Sequence, residues 1–98
     1  MARSKSKTIQ RTQIKYPSRY NVIILNDDYT PMDFVIKLLI EVFNKDINQA
    51  KDVTMQIHEK GKAIAGSYNY EVAEQKVSEV TLISRHHGHP LKAIQEEI

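Results

Sequence analysis

Three adjacent polar residues, Asn26, Asp27 and Asp28, separate an apolar run ending at Leu25 from one that follows Pro31. Their oxygen atoms could hold a metal, act as an acid–base pair, receive a cation, or form a turn, which all three residue types favour. A metal pair needs more oxygen ligands than this stretch offers, and acid–base chemistry needs a nucleophile or polar partner that is not evident. A turn and a cation receptor remain open.

Histidines form the second group of candidates. His58 falls on the apolar stripe of a predicted helix, four residues after Thr54, where a core residue is the usual interpretation. The segment "HHGHP", residues 86–90, suggests zinc because imidazole is a common zinc ligand. Adjacent residues on a helix point about 100° apart, so His86 and His87 converge poorly. A solvated helix end, whose cations suit the helix dipole, is the better interpretation, and we expect no metal or cofactor.

Composition predicts one soluble domain. The chain has 98 residues, 41% of them hydrophobic and 27% charged, and no cysteine. It has no run of about 18 apolar residues and no apolar stretch after its basic start, so we expect neither a membrane span nor a secretory signal. The lack of cysteine fits a reducing compartment, and we expect a cytoplasmic protein.

Charge is distributed unevenly along the chain. The overall net charge is +2, but residues 1–19 hold six basic residues and no acidic ones, so residues 20–98 carry −4. The first segment is polar and is predicted to be a disordered basic N-terminal extension, and residues 20–98 to be the folded domain. A basic tail can bind nucleic acid, although a solvated tether is the simpler interpretation.

Periodicity and turn residues predict the order β-α-α-β-α-β. Residues 20–25 and 62–68 are short, apolar strands, with Gly66 as a bulge, and residues 91–98 form a last strand. Three helical patterns lie between these strands. Helices segregated on a small, mostly antiparallel three-stranded sheet make an α+β fold.

Capping signals set the expected helix ends. Thr30 is the predicted N-cap of the first helix, with Pro31 at the first helical position and Asp33 completing a box-like pattern. Asp46, with Gln49 three residues on, and Asn69 are the predicted caps of the other two helices. Gly61 ends the second helix, and Gly88 and Pro90 end the third.

At "NDDYTPMDFV" the sequence resembles the ClpS family of N-degron adaptors. The resemblance continues through "IHEKGKAIAG", "YEVAEQKV" and "HPLKA" and covers roughly residues 20–95 in the same order. The basic tail corresponds to the mobile N-terminal extension of the family.

The resemblance implies a non-enzymatic adaptor without a cofactor. Such an adaptor binds proteins whose first residue is Leu, Phe, Tyr or Trp, and delivers them to the N-terminal domain of a ClpA-type or ClpC-like AAA+ unfoldase coupled to the ClpP protease. The family pattern places α-amino binding on Asn26, Asp27 and His58, and unfoldase docking on Glu71 and Lys76. It places the side-chain pocket on Asp28, Thr30, Met32, Val35, Thr54, Ile57 and Leu91.

Residue chemistry agrees with these implied roles. An α-ammonium has three donors, and an amide oxygen, a carboxylate and a neutral imidazole can accept from it. We therefore expect Asp27 to recognise a cation and Asp28 to shape the turn and pocket wall. Thr54 departs from the family, which usually has Met there. A smaller residue should widen that wall, and its hydroxyl can bond back to its own helix.

A ribosome-associated or nucleic-acid-binding module is the alternative function, because similar small α+β domains occur in a ribosomal stalk protein and the tail is basic. The charge of −4 on residues 20–98 argues against a nucleic-acid face. We therefore expect neither nucleic acid nor a membrane among the partners. A metal-dependent enzyme built on the histidine cluster is a weaker third hypothesis.

Overall fold

The computed structural model of the protein describes residues 18–98. These residues form, in order, β1 (Tyr20–Leu25), α1 (Met32–Phe43), α2 (Ile47–Lys60), β2 (Lys62–Tyr68), α3 (Tyr70–His86) and β3 (Lys92–Glu97). The predicted α+β order is confirmed. Most of the predicted basic tail, residues 1–17, lies outside the described residues. Arg19, which we assigned to that tail, is anchored: it donates to Ser67 O at 2.8 Å and accepts from Ile98 N at 2.8 Å.

The sheet has the strand order β2-β1-β3 with both pairs antiparallel. Val22 and Ile24 of the central strand are fully buried on the face that packs against the helices. The flanking strands place alanines, Ala63, Ala65 and Ala93, on that face. Small side chains there leave room for the large residues of the helices, so the core forms between the two layers.

The expected irregularity of β2 lies beside Gly66. The register with β1 shifts between Ile64 and Gly66, so Ala65 is the extra residue. The Tyr68 ring lies across Gly66, and a side chain at position 66 would overlap it. A larger residue at the bulge would therefore displace the Tyr68 ring.

The predicted caps of α2 and α3 are confirmed. Asp46 Oδ1 accepts from Gln49 N at 2.8 Å, and Gln49 Oε1 accepts from Asp46 N at 3.2 Å, which completes a capping box. Asn69 Oδ1 accepts from Val72 N at 2.9 Å. These bonds join residues three apart, so the sequence alone determines them.

The predicted cap of α1 is wrong. Pro31 is the N-cap and makes no side-chain cap bond. The Thr30 hydroxyl instead donates to Asp27 Oδ2 at 2.8 Å. Asp33 accepts from the adjacent Phe34 N and closes no box with Thr30. The hydroxyl bonds to the nearby carboxylate because a charged acceptor makes a stronger hydrogen bond than a neutral one.

The end of α3 is better anchored than the predicted solvated terminus. The rings of His87 and His89 pack on Phe34, with centroids 5.4 and 4.5 Å away. Arg85 Nη1 donates to the carbonyls of His89 and Leu91 at 2.9 and 2.8 Å. These contacts hold the connection to β3 against α1. None of the helices within residues 18–98 has the length and hydropathy needed to cross a membrane.

Candidate functional site

The connection between β1 and α1 lies against the C-terminus of α2. Gly61 ends α2 with a φ of 89°, which is favourable for glycine. Its carbonyl accepts from Asn26 N at 2.9 Å. This bond places the Asn-Asp-Asp segment next to the last turns of α2, where His58 lies.

A small cavity of about 20 Å³ opens at this junction. Nine of the ten predicted amine and pocket residues line it: Asn26, Asp27, Thr30, Met32, Val35, Thr54, Ile57, His58 and Leu91. They come from three separate segments of the chain, residues 26–35, residues 54–58 and Leu91. The tenth, Asp28, lies outside the cavity and lines a shallow depression at its mouth.

Asp27, and not Asp28, shapes the turn. Its Oδ1 accepts from Tyr29 N at 2.8 Å and from Thr30 N at 2.7 Å, and its Oδ2 accepts from the Thr30 hydroxyl at 2.8 Å. We expected Asp28 to help shape the turn, but the hydrogen bonds of the turn go to Asp27. Asp28 is exposed.

These bonds also keep Asp27 ionised. Burial alone raises the pKa of Asp27, but the donors on Thr30 and Tyr29, together with the nearby His89, outweigh burial and hold the pKa below its usual range. Hydrogen bonds to a carboxylate stabilise its charged form. The cavity mouth therefore carries a fixed negative charge.

The depth of the cavity is apolar, whereas its mouth is polar. Val35, Ile57 and Leu91 are at most 5% exposed. Asn26 and His58 are exposed at the mouth. The placement of His58 corrects the prediction of a core histidine: it is one turn from the buried Thr54, but it is exposed, and α2 ends two residues later at Lys60.

Thr54 differs from one expectation for it. The cavity it lines has a volume of about 20 Å³, which holds roughly one water molecule. Met32, which is 41% exposed, forms its outer wall. Thr54 itself is 3% exposed, and its Oγ1 has no hydrogen-bond partner within residues 18–98. The expected bond back to the helix is therefore wrong.

The two predicted docking residues differ in their surroundings. Glu71 is exposed in the first turn of α3. Lys76 is half-buried: its Nζ donates to Val42 O at 2.7 Å and lies 3.8 Å from Glu79 Oε1. Lys76 therefore joins α3 to the C-terminal end of α1, where a helix leaves unpaired carbonyls.

The sequence did not predict the surroundings of the cavity. A depression of about 310 Å³ beside it is lined by Leu25, Asn26, Asp27, Tyr29, Pro90 and Lys92. Tyr29 is 80% exposed, which is high for a large aromatic residue. The position of Tyr29 within the motif "NDDYTP" was the one feature of the sequence that could have indicated this surface. Among the residues described here, no three His, Cys, Asp or Glu side chains converge as metal ligands.

Known proteins resemble this chain over most of its length. The family model "ATP-dependent Clp protease adaptor protein ClpS" matches residues 15–94. A ClpS adapter protein of Vibrio atlanticus is 48% identical over 91% of this chain and 84% of its own length. One from Helicobacter hepaticus is 42% identical over 100% of this chain and 99% of its own length.

A solved structure agrees with these relatives. Agrobacterium tumefaciens ClpS2, bound to L-phenylalaninamide, has a TM-score of 0.82 and 35% identity, covering 85% of this chain and all of that one. The resemblance drawn from the motifs is confirmed, and the function is that of an adaptor, not an enzyme. The chain belongs to the ClpS family of ATP-dependent Clp protease adaptor proteins.

Proposed function

We propose that the protein binds chains that begin with Leu, Phe, Tyr or Trp and delivers them to a ClpA-type or ClpC-like unfoldase of the Clp protease. The observation that carries this proposal is the polar mouth formed by Asn26, Asp27 and His58 directly above an apolar cavity. The polar mouth suits a free α-ammonium, and the apolar walls below it suit a bulky hydrophobic side chain.

The amine and the side chain require different surroundings. The ammonium needs acceptors and negative potential, and the ionised Asp27 supplies charge while Asn26 and His58 supply exposed acceptors. Asp27 already accepts three bonds, so its contribution to the amine is mainly electrostatic. The similarity to a structure bound to L-phenylalaninamide, which has a free amine and an aromatic side chain, supports this division.

A bulky side chain needs more room than about 20 Å³. Met32 is the wall that can move, because it is exposed, unbranched and flexible. The adjacent depression lined by Tyr29 and Pro90 gives the following residues of the bound chain a surface on which to lie.

The experiment measures fluorescence anisotropy of peptides that differ in the first residue. We expect a Leu peptide to bind and its N-acetylated form not to bind, since acetylation removes the charge. His58→Ala should weaken binding by about 1–3 kcal/mol, the cost of losing a charge-assisted bond. His86→Ala, which removes an exposed histidine from the end of α3, is the control and should change nothing. Equal binding of acetylated and free peptides would refute the proposal.

A further inference from the structure

Thr54 carries a buried hydroxyl that nothing else in the described part of the chain satisfies. The residue is 3% exposed, and Oγ1 has no partner within residues 18–98. A threonine inside a helix commonly bonds the carbonyl four residues earlier, but this one makes no bond to Ala50 O. Leaving a buried hydroxyl unpaired is unfavourable. Thr54 is thus available to a partner that enters the cavity it lines.

Thr54 supplies a buried polar group to the cavity. Among the lining residues described here, Thr54 is the one buried polar side chain, and the other buried walls are Val35, Ile57 and Leu91. His58, at the mouth, follows Thr54 by one helical turn, about 5.4 Å along the axis of α2. A side chain whose amine lies beside His58 therefore has to extend by about one turn of α2 to come beside Thr54.

We infer that Thr54 Oγ1 makes the cavity favour a first residue with a polar atom at the tip of its ring, so that Tyr binds more tightly than Phe. The inference rests on the proposed function and adds a specificity determinant to it. The Tyr hydroxyl is both donor and acceptor and can pair with Thr54. Phe and Leu fill the cavity but leave the hydroxyl unpaired. A site with a buried hydrogen-bonding group discriminates against ligands that lack its partner for this reason.

The test compares peptides that differ only in Tyr or Phe at the first position. Wild-type protein should bind the Tyr peptide about 3- to 10-fold more tightly, the effect of one neutral hydrogen bond. Thr54→Val keeps the shape and removes the hydroxyl, so the ratio should fall to about one or below, mainly because Phe binds better. Thr54→Ser keeps a hydroxyl and should retain the preference.

Ser84→Ala is the matched control, because Ser84 is 0% exposed and its Oγ also has no partner within residues 18–98, but it does not line the cavity. Its Tyr-to-Phe ratio should equal that of the wild type. Thermal melts of all variants verify folding.

Two failures are distinguishable. If both free peptides bind, their acetylated forms do not, and the ratio is the same in wild type and Thr54→Val, the inference about Thr54 is wrong and the proposed function stands. If free and acetylated peptides bind alike or not at all, the proposed function fails and the inference fails with it.

Discussion

Asp27 combines two tasks in one carboxylate. Its three hydrogen bonds hold the turn, and the same bonds keep it ionised at the cavity mouth. A charge fixed in this way does not depend on the presence of a bound amine. The turn and the cation receptor, which the sequence leaves as alternatives, are therefore compatible in one residue.

The Thr30 hydroxyl is predicted to depress the pKa of Asp27. The pKa of the folded state lies below the unfolded value of roughly 3.9, so the associated stability is present above that value and is lost as pH falls through the folded pKa. Thr30→Val should raise the pKa and lower the free energy of unfolding at neutral pH by about 1 kcal/mol. Carboxyl NMR titration and urea unfolding measure these quantities.

Thr81→Val is the control for this substitution. The Thr81 hydroxyl donates to Val77 O within α3 and touches no carboxylate. Its replacement should leave the titration of Asp27 unchanged. The same pKa in Thr30→Val as in wild type would show that the two backbone donors alone hold the charge.

At the scale of elements, one lysine links α3 to α1. Lys76 Nζ donates to Val42 O, close to the end of α1, and lies 5.9 Å from the centroid of the Tyr68 ring. The Val42 carbonyl belongs to the last turn of its helix, where carbonyls accept no hydrogen bond from within the helix. The lysine therefore fixes the position of two helices that also pack on the sheet.

Lys76→Met is predicted to lower the free energy of unfolding by about 1.5–3 kcal/mol, the value of a hydrogen bond from a charged group. Met keeps most of the packing of the aliphatic stem and removes the donor. Urea unfolding measures the loss, and Lys51→Met on the exposed face of α2 is the control. A loss no greater than that of the control would mean that the bond is replaced by water without cost.

At the scale of the whole molecule, the cavity and the proposed docking residue Glu71 lie at opposite ends of the sheet. Asn26 follows Leu25, which pairs with Lys62, whereas Glu71 follows the β2 end at which Tyr68 pairs with Tyr20. Five residues of strand separate these ends, roughly 17 Å. The proposed cargo site and the proposed docking residue are therefore far enough apart to be occupied at the same time.

Glu71→Lys is predicted to abolish delivery and to leave peptide affinity unchanged, because the substituted charge is far from the cavity. Degradation of a Leu-initiated reporter by the unfoldase and protease measures delivery, and anisotropy measures affinity. Glu96→Lys, an exposed charge reversal on β3, is the control. Intact delivery in Glu71→Lys would place the docking surface elsewhere. Lys76 is unsuitable for this test, because its substitution also affects stability.

The sequence by itself determined the elements and much of the site. The caps at Asp46 and Asn69 and the stop at Gly61 depend on bonds between residues three or four apart, so local spacing predicts them. The motifs also identified nine residues that the structure brings around one cavity.

Only the tertiary structure decided how individual side chains are used. Lys76 bonds a carbonyl 34 positions away, and Thr54 is buried at the cavity without a hydrogen-bond partner in the described residues. His58 is exposed although it lies on the apolar stripe, whereas Ile57 beside it in the same turn is buried. Periodicity along the chain shows which residues lie on the same face of a helix or strand. Their exposure and hydrogen bonding depend on what packs against that face.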